Sequence, residues 1–286
     1  MDVKRKVDVI RVNPEDWPNG TPAGKADDPD LGYDVIPAAR YTSEEFMKLE
    51  WEHVWTKVWL LGGRSCDIKE PGDYICTDIG KESVIIVRQK DGSVRAFPNV
   101  CLHRGNRLRP EGLGNAESFR CLYHHWTYGL DGCIERIPDM ATFPQGGPPG
   151  MKLPSYPCGE WGSFVWFSLN PDVEPLEDFL APMPQHLDPY HMERMAWQRD
   201  VTVEWDCNWK ASVDAFSEVY HVQGIHPQLQ WYLDDTNAQI DVYERHSRYL
   251  VPFAAISGRV ALPSSIPPAI YEIMVKAGMD PAEYEG

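Results

Sequence analysis

Four residues in the first half of the chain have the types and spacing of metal ligands: Cys101 and His103, two positions apart, and Cys121 and His124, three apart. Seventeen residues separate His103 from Cys121, and short apolar runs bound each pair, so two hairpin tips could meet around one centre. Zinc also takes two cysteines and two histidines, but its usual spacing groups the cysteines together and the histidines together. Here each pair mixes the two types, which lets each loop give one ligand to each iron of a two-iron cluster. The spacing therefore favours a [2Fe-2S] cluster, with thiolates on one iron and neutral imidazoles on the other, over zinc. Imidazole ligation lowers the charge of such a cluster and raises its potential, which suits a centre that accepts electrons readily.

A second set of ligand types lies between residues 208 and 227. A helix expected from about Ala211 to Val222 would place Asp214, Glu218 and His221 at i, i+4 and i+7 on one face. His226 falls off that face unless Gly224 breaks the helix and swings it back toward His221. Two histidines five residues apart are weak evidence alone, and packing roles account for most such pairs. Two histidines with a carboxylate nevertheless make the facial triad of non-haem Fe(II) oxygenases, which leaves coordination positions open for dioxygen and substrate.

The elements that must position these residues are legible in outline. The first ~30 residues are rich in turn formers and charge and read as an extended arm. Thr42, Ser43, Glu44 and Glu45 open a helix with an apolar stripe of Phe46, Leu49, Val54 and Trp55. From Trp59 to about Leu169 short apolar runs alternate with Gly, Asp and Pro, which is β structure, with Gln89, Lys90, Asp91 and Gly92 as a hairpin turn. Beyond Asn170 a Pro-rich stretch leads into mixed structure. The expected organisation is α+β: an N-terminal arm and helix start over 1–44, a β-rich domain of antiparallel sheets with both cluster loops over 45–169, and an incomplete α/β domain over 170–286.

Composition narrows the class. With 43% hydrophobic and 12% aromatic residues the chain can build packed cores. A net charge of -16 argues against a nucleic-acid partner, which asks for a basic patch. No apolar run approaches the ~20 residues of a membrane span, and no export signal opens the chain, so a cytoplasmic protein without membrane attachment is expected. Seven cysteines at irregular spacing fit thiols and ligands rather than a disulfide framework. Cys66, Cys76, Cys133, Cys158 and Cys207 have no ligand-like companion and are expected to be small buried hydrophobes.

The segments PNVCLHRGNRL and RCLYHHWTYGLDG resemble the two cluster loops of Rieske-type ring-hydroxylating oxygenases, large (alpha) subunit. NWKASVDAFSEVYHVQGIH resembles the mononuclear-iron segment of the same family, and together the likeness runs from about Tyr41 to about Val260. It implies a Rieske cluster on Cys101, His103, Cys121 and His124, and Fe(II) on His221 and His226. It also implies that Glu218, where the family usually has aspartate, links the iron to the cluster of a neighbouring subunit. Electrons would come from NAD(P)H through a partner reductase, often with a ferredoxin, to a homotrimer with or without a small beta subunit. Dioxygen would then hydroxylate an organic, commonly aromatic, substrate.

The departures from the family pattern matter as much. Leu122 stands where many members have proline, and His125, read as a bystander with a hydrogen-bonding or packing role, follows His124. The family takes its third iron ligand, a carboxylate, from far along the chain. Asp234, Asp235, Asp241 and Glu244 follow the histidines here, but none lies in a matching segment, so no third ligand is assigned. The ending AGMDPAEYEG reads as an interruption, so a fragment is expected. Two other readings stay open: an electron carrier holding only the cluster, and a monooxygenase or demethylase acting on a non-aromatic substrate.

Overall fold

The computed structural model describes residues 30, 32–143, 150–196, 198–199, 201–261 and 266–284. The expected N-terminal arm lies outside these residues, apart from its last few positions. Two compact units are present, one over 44–198 and the other combining 30–43 with 199–284.

The first unit is built on antiparallel strands. The central sheet has the order β4-β3-β2-β5, from β2 (Asp73–Ile79), β3 (Glu82–Arg88), β4 (Val94–Pro98) and β5 (Gly112–Asn115). Its middle strand explains the unbroken apolar run in the sequence. Ile85 and Val87 face one core with Tyr74, Cys76 and Phe97, while Val84 and Ile86 face another with Leu60, Ile75, Val165 and Phe167. A strand covered on both faces has no polar alternation to show. The second core is closed by the sheet β1-β10-β9, from β1 (Trp59–Arg64), β9 (Cys158–Trp161) and β10 (Phe164–Ser168). The third sheet is β6-β7-β8, from β6 (Ser118–Arg120), β7 (Thr127–Gly129) and β8 (Ile134–Arg136).

The β3–β4 hairpin turns where the sequence places it. Gln89 N–H donates to the Ser93 carbonyl at 2.8 Å, and Gly92 takes φ +86°, a conformation only glycine adopts freely. Behind this hairpin, Arg88 is buried. It makes two 2.7 Å bonds to the Glu160 carboxylate and donates to the carbonyls of Ile68 and Gly92. Glu160 is held below its ordinary pKa chiefly by this partner. Arg88→Ala strands a carboxylate and two carbonyls, so it should lower unfolding stability by about 3 kcal/mol in a denaturant titration. The Glu160 contribution is complete above the ordinary carboxylate pKa and is lost as pH falls through the depressed one.

The first helix, α1 (Ala39–Thr42), is separated from α2 (Glu44–Glu50) by Ser43 in extended conformation. α2 then runs into a single wide turn, Trp51–Trp55, closed by the Thr56 N–H on the Trp51 carbonyl. The stripe Phe46, Leu49, Val54, Trp55 thus spans a change of helical pitch that periodicity does not reveal.

The helix expected over 211–222 is corrected by the structure. α5 (Trp209–Ala215) is capped by the Asn208 side chain and ends at Phe216; α6 (Val222–Ile225) starts after a turn. Three local bonds end α5: the Ser217 hydroxyl donates to the Val213 carbonyl, and the Glu218 carboxylate accepts from the N–H groups of Tyr220 and His221. Side chains that capture backbone donors compete with helix continuation. Gly224 is not the breaking point; it lies inside α6. Cysteine burial is also corrected, since Cys66, Cys133 and Cys207 are exposed and only Cys76 is fully buried among the five.

In the second unit β11 (Gln239–Val242) pairs with β12 (Ser247–Leu250), and Trp231 and Tyr232 pack against a small core around Met274 of α7 (Pro268–Lys276). Phe253 is exposed and meets the Tyr232 ring edge-on. Among the described residues no helix is long and apolar enough to cross a membrane.

Candidate metal centres

The two Cys/His loops are copies of one turn. Cys101 N–H donates to the Asn106 carbonyl and Gly105 N–H to the Cys101 carbonyl; Cys121 N–H donates to the Trp126 carbonyl and His125 N–H to the Cys121 carbonyl. In both loops the fifth residue has positive φ, +70° at Gly105 and +59° at His125. The first loop joins β4 to β5, and the second joins β6 to β7. Asn99 fixes the base of the first: its amide oxygen accepts from the N–H groups of Leu108 and Arg109, and its amide nitrogen donates to Ser83 and to the Arg109 carbonyl.

These turns bring all four predicted ligands together. Cys101 and Cys121 are buried and approach within hydrogen-bonding reach of each other. The rings of His103 and His124 meet edge to face with centroids 4.6 Å apart. Burial alone would raise the Cys121 thiol, but the N–H groups of Tyr123 and His124, with Cys101 and Asn106, hold it below its ordinary pKa. Burial, then His124 and Arg104, lowers His103. A low thiol and a neutral imidazole are the protonation states a metal ligand needs.

His103 Nδ1 is buried with no hydrogen-bond partner, a costly state that a metal bond would relieve. The donor set therefore fits a two-iron cluster. Among the described residues no three His, Cys, Asp or Glu side chains converge as a site for one ion. A Rieske cluster needs no such triplet, since it takes two thiolates on one iron and two imidazoles on the other.

The sequence reading missed the groups around the ligands. The Tyr128 hydroxyl lies 3.3 Å from Cys101 Sγ and accepts from Leu102 N–H, the Asn106 amide reaches Cys121 Sγ at 3.7 Å, and Trp126 stacks on His103 at 4.8 Å with 6° between planes. Only Trp126 and Tyr128, alternate residues around β7, hinted at such a role. Burial, and then Cys101, push the Tyr128 phenol up, so it keeps its proton. A donor to the thiolate stabilises the electron-rich reduced cluster. Tyr128→Phe should therefore lower the midpoint potential by about 50 mV, the equivalent of ~1 kcal/mol for one electron. Voltammetry of the folded protein would check this. His125 proves to act through its backbone: its side chain is exposed and makes no bond among the described residues.

At the second centre the helix break gathers Glu218, His221 and His226. His221 Nδ1 lies 2.5 Å from Glu218 Oε1, and the His221 and His226 rings meet at 77° with centroids 5.6 Å apart. His221, foremost, holds the Glu218 carboxyl below its ordinary range. A carboxylate on Nδ1 fixes the proton there and leaves the Nε2 lone pair free for a metal. Asp214 takes no part among these contacts; it accepts from the Tyr41 hydroxyl at 2.6 Å. Asp234 binds Thr236 and Asn237, Asp235 binds Ser257 and Arg259, and Asp241 binds Arg248, so these three carboxylates are engaged in structural bonds.

The comparisons align with both centres. The Rieske [2Fe-2S] domain family matches residues 58–157, and the ring hydroxylating alpha subunit (catalytic domain) family matches residues 192–264. The chain is 32% identical over 197 residues to the glycine betaine monooxygenase oxygenase subunit of Pseudomonas aeruginosa, covering 68% of this chain and 45% of that one. It is 31% identical over 242 residues to the salicylate 5-hydroxylase large oxygenase component of Ralstonia sp., covering 77% and 56%. The solved structure of the quaternary ammonium Rieske monooxygenase CntA with L-carnitine superimposes with a TM-score of 0.71 at 25% identity, over 76% of this chain and 62% of that one. The chain thus spans about half the length of the curated relatives it matches. The first matched segment holds both cluster loops and the second holds His221 and His226; a chain joining them in this order belongs to the Rieske-type ring-hydroxylating oxygenases, large (alpha) subunit.

Proposed function

We propose that this chain is the oxygen-activating component of a Rieske oxygenase, with Cys101, His103, Cys121 and His124 holding the [2Fe-2S] cluster and His221 and His226 holding Fe(II). The observation that carries the oxygenase reading is the Glu218–His221 contact, because it orients one imidazole and fixes its tautomer beside a second. When bound, the two centres supply one-electron transfer and dioxygen activation, so that oxygen enters an organic substrate. Glu218 keeps the Nδ1 proton of His221 in place and turns the ring toward His226. In a homotrimer the same carboxylate links this centre to the cluster of the adjacent subunit. A reductase, with or without a ferredoxin, delivers electrons from NAD(P)H.

The primary reading of the substrate is an aromatic compound. Similarity to glycine betaine and carnitine monooxygenases favours a second, a quaternary ammonium compound. Turnover assays with salicylate and with glycine betaine, using a supplied reductase, would divide them by which one is consumed.

Metal content tests the larger claim. Protein prepared anaerobically with ferrous iron should hold about three irons to two acid-labile sulfides per chain. A ratio of about two to two would leave an electron-transfer chain and end the oxygenase reading.

A further inference from the structure

Before the first Cys/His loop in the sequence, the wide turn after α2 and the tip of the β2–β3 hairpin line an open cavity of about 520 Å³. That is the size of small-molecule sites and too small for a macromolecular groove. Its apolar lining comes from Met47 and Trp51. Gly80, at φ +54°, adjoins the Trp51 indole, and a side chain there would collide with it. The ring therefore lies directly on the hairpin backbone, and the wall is formed before any ligand arrives. The single wide helical turn at 51–55 aims Trp51 this way; such turns are rare and recur at functional sites.

The rim is basic. Lys48, Lys57 and Lys81 line the cavity, all are exposed, and none has an ion-pair partner among the described residues. Glu52 is the one carboxylate among the lining residues, and it has no ion-pair partner either. The local charge is thus positive on a chain whose net charge is -16. Three ammonium groups against one carboxylate around an indole floor suit a ligand with an anionic head and a flat apolar body.

We propose that this cavity binds a small organic anion of that kind, an aromatic carboxylate, at a site separate from the metal centres. The test is calorimetric titration of the full chain, cluster loaded, with naphthoate at low salt and with neutral naphthamide as control. Saturable binding of naphthoate is expected, about tenfold tighter than naphthamide, and weakened about tenfold in the Lys48→Ala/Lys57→Ala/Lys81→Ala variant. Trp51→Ala should abolish it with the cluster spectrum unchanged. Only exposed lysines are removed in the triple variant; should it fail to fold, the three single variants, each losing a few fold, carry the same test. No saturable binding at millimolar naphthoate, or equal binding by wild type and lysine variants, overturns the proposal. So does a lysine-dependent association with an acidic electron-carrier protein that naphthoate fails to displace.

Discussion

His103→Ala is expected to yield a folded protein with no two-iron spectrum and no electron uptake from a reductase. The reason lies in how little could replace the lost ligand. His103 supplies an imidazole whose Nδ1 is buried and bonded to nothing else, and its ring is clamped between His124 and Trp126. His125, the nearest other imidazole in sequence, is exposed at the outer corner of its turn. The fold should survive because the buried core around the loops uses the cysteines, Leu108, Phe119 and Tyr128 rather than this histidine. His103→Cys is the informative companion. An added thiolate should restore a cluster whose potential drops by hundreds of millivolts, on the order of the gap between Rieske and plant-type centres. Full cluster content in the alanine variant, measured as sulfide per chain, would remove His103 from the ligand set.

The second large effect is at Glu218. Glu218→Ala should leave cluster and ferrous iron contents near wild type at saturating metal while turnover falls about 100-fold. Two functions are lost in one substitution. The Nδ1 proton of His221 loses its acceptor, and the N–H groups of Tyr220 and His221 lose the cap that starts the turn. Glu218→Gln separates them, because the amide oxygen still accepts hydrogen bonds but carries no charge. Single-turnover reoxidation of the reduced cluster by dioxygen isolates the link itself: slow reoxidation in the alanine variant supports it, and a wild-type rate sinks it.

How much of this was legible depends on whether the controlling interactions were local. The Cys/His pairs could be read as candidate ligands because each spans only three or four residues and sits between strands with their own pattern. β3 was read correctly as a strand since its apolar run is flanked by a turn that needs Gly92 at positive φ. The break between α5 and α6 was not, because helical spacing at Asp214, Glu218 and His221 looks uninterrupted. What ends α5 is the hydrogen bonding of Ser217 and Glu218 side chains to backbone, and periodicity carries no trace of that. Tyr128 and Asn106 escaped for a different reason: their importance comes from contacts with sulfur atoms 27 and 15 residues away. Sequence spacing likewise carries no trace of the partners of Asp234, Asp235 and Asp241, which bind Asn237, Arg259 and Arg248.

The placement of the two matched turns has a mechanical side. One hangs from the central four-stranded sheet and the other from the β6-β7-β8 sheet, so a cluster held at 101 and 121 would clamp two separate sheets to one inorganic core. Tethered at both ends, the roughly 20 residues between them form a closed loop, and cross-linking a loop of that length removes about 3 kcal/mol of unfolded-state entropy by the estimate used for disulfides. Oxidative loss of iron would then act as the cutting of a staple. The domain would be expected to soften at the seam between its sheets, and the resistance of this protein to heat and proteases would track the integrity of its redox centre.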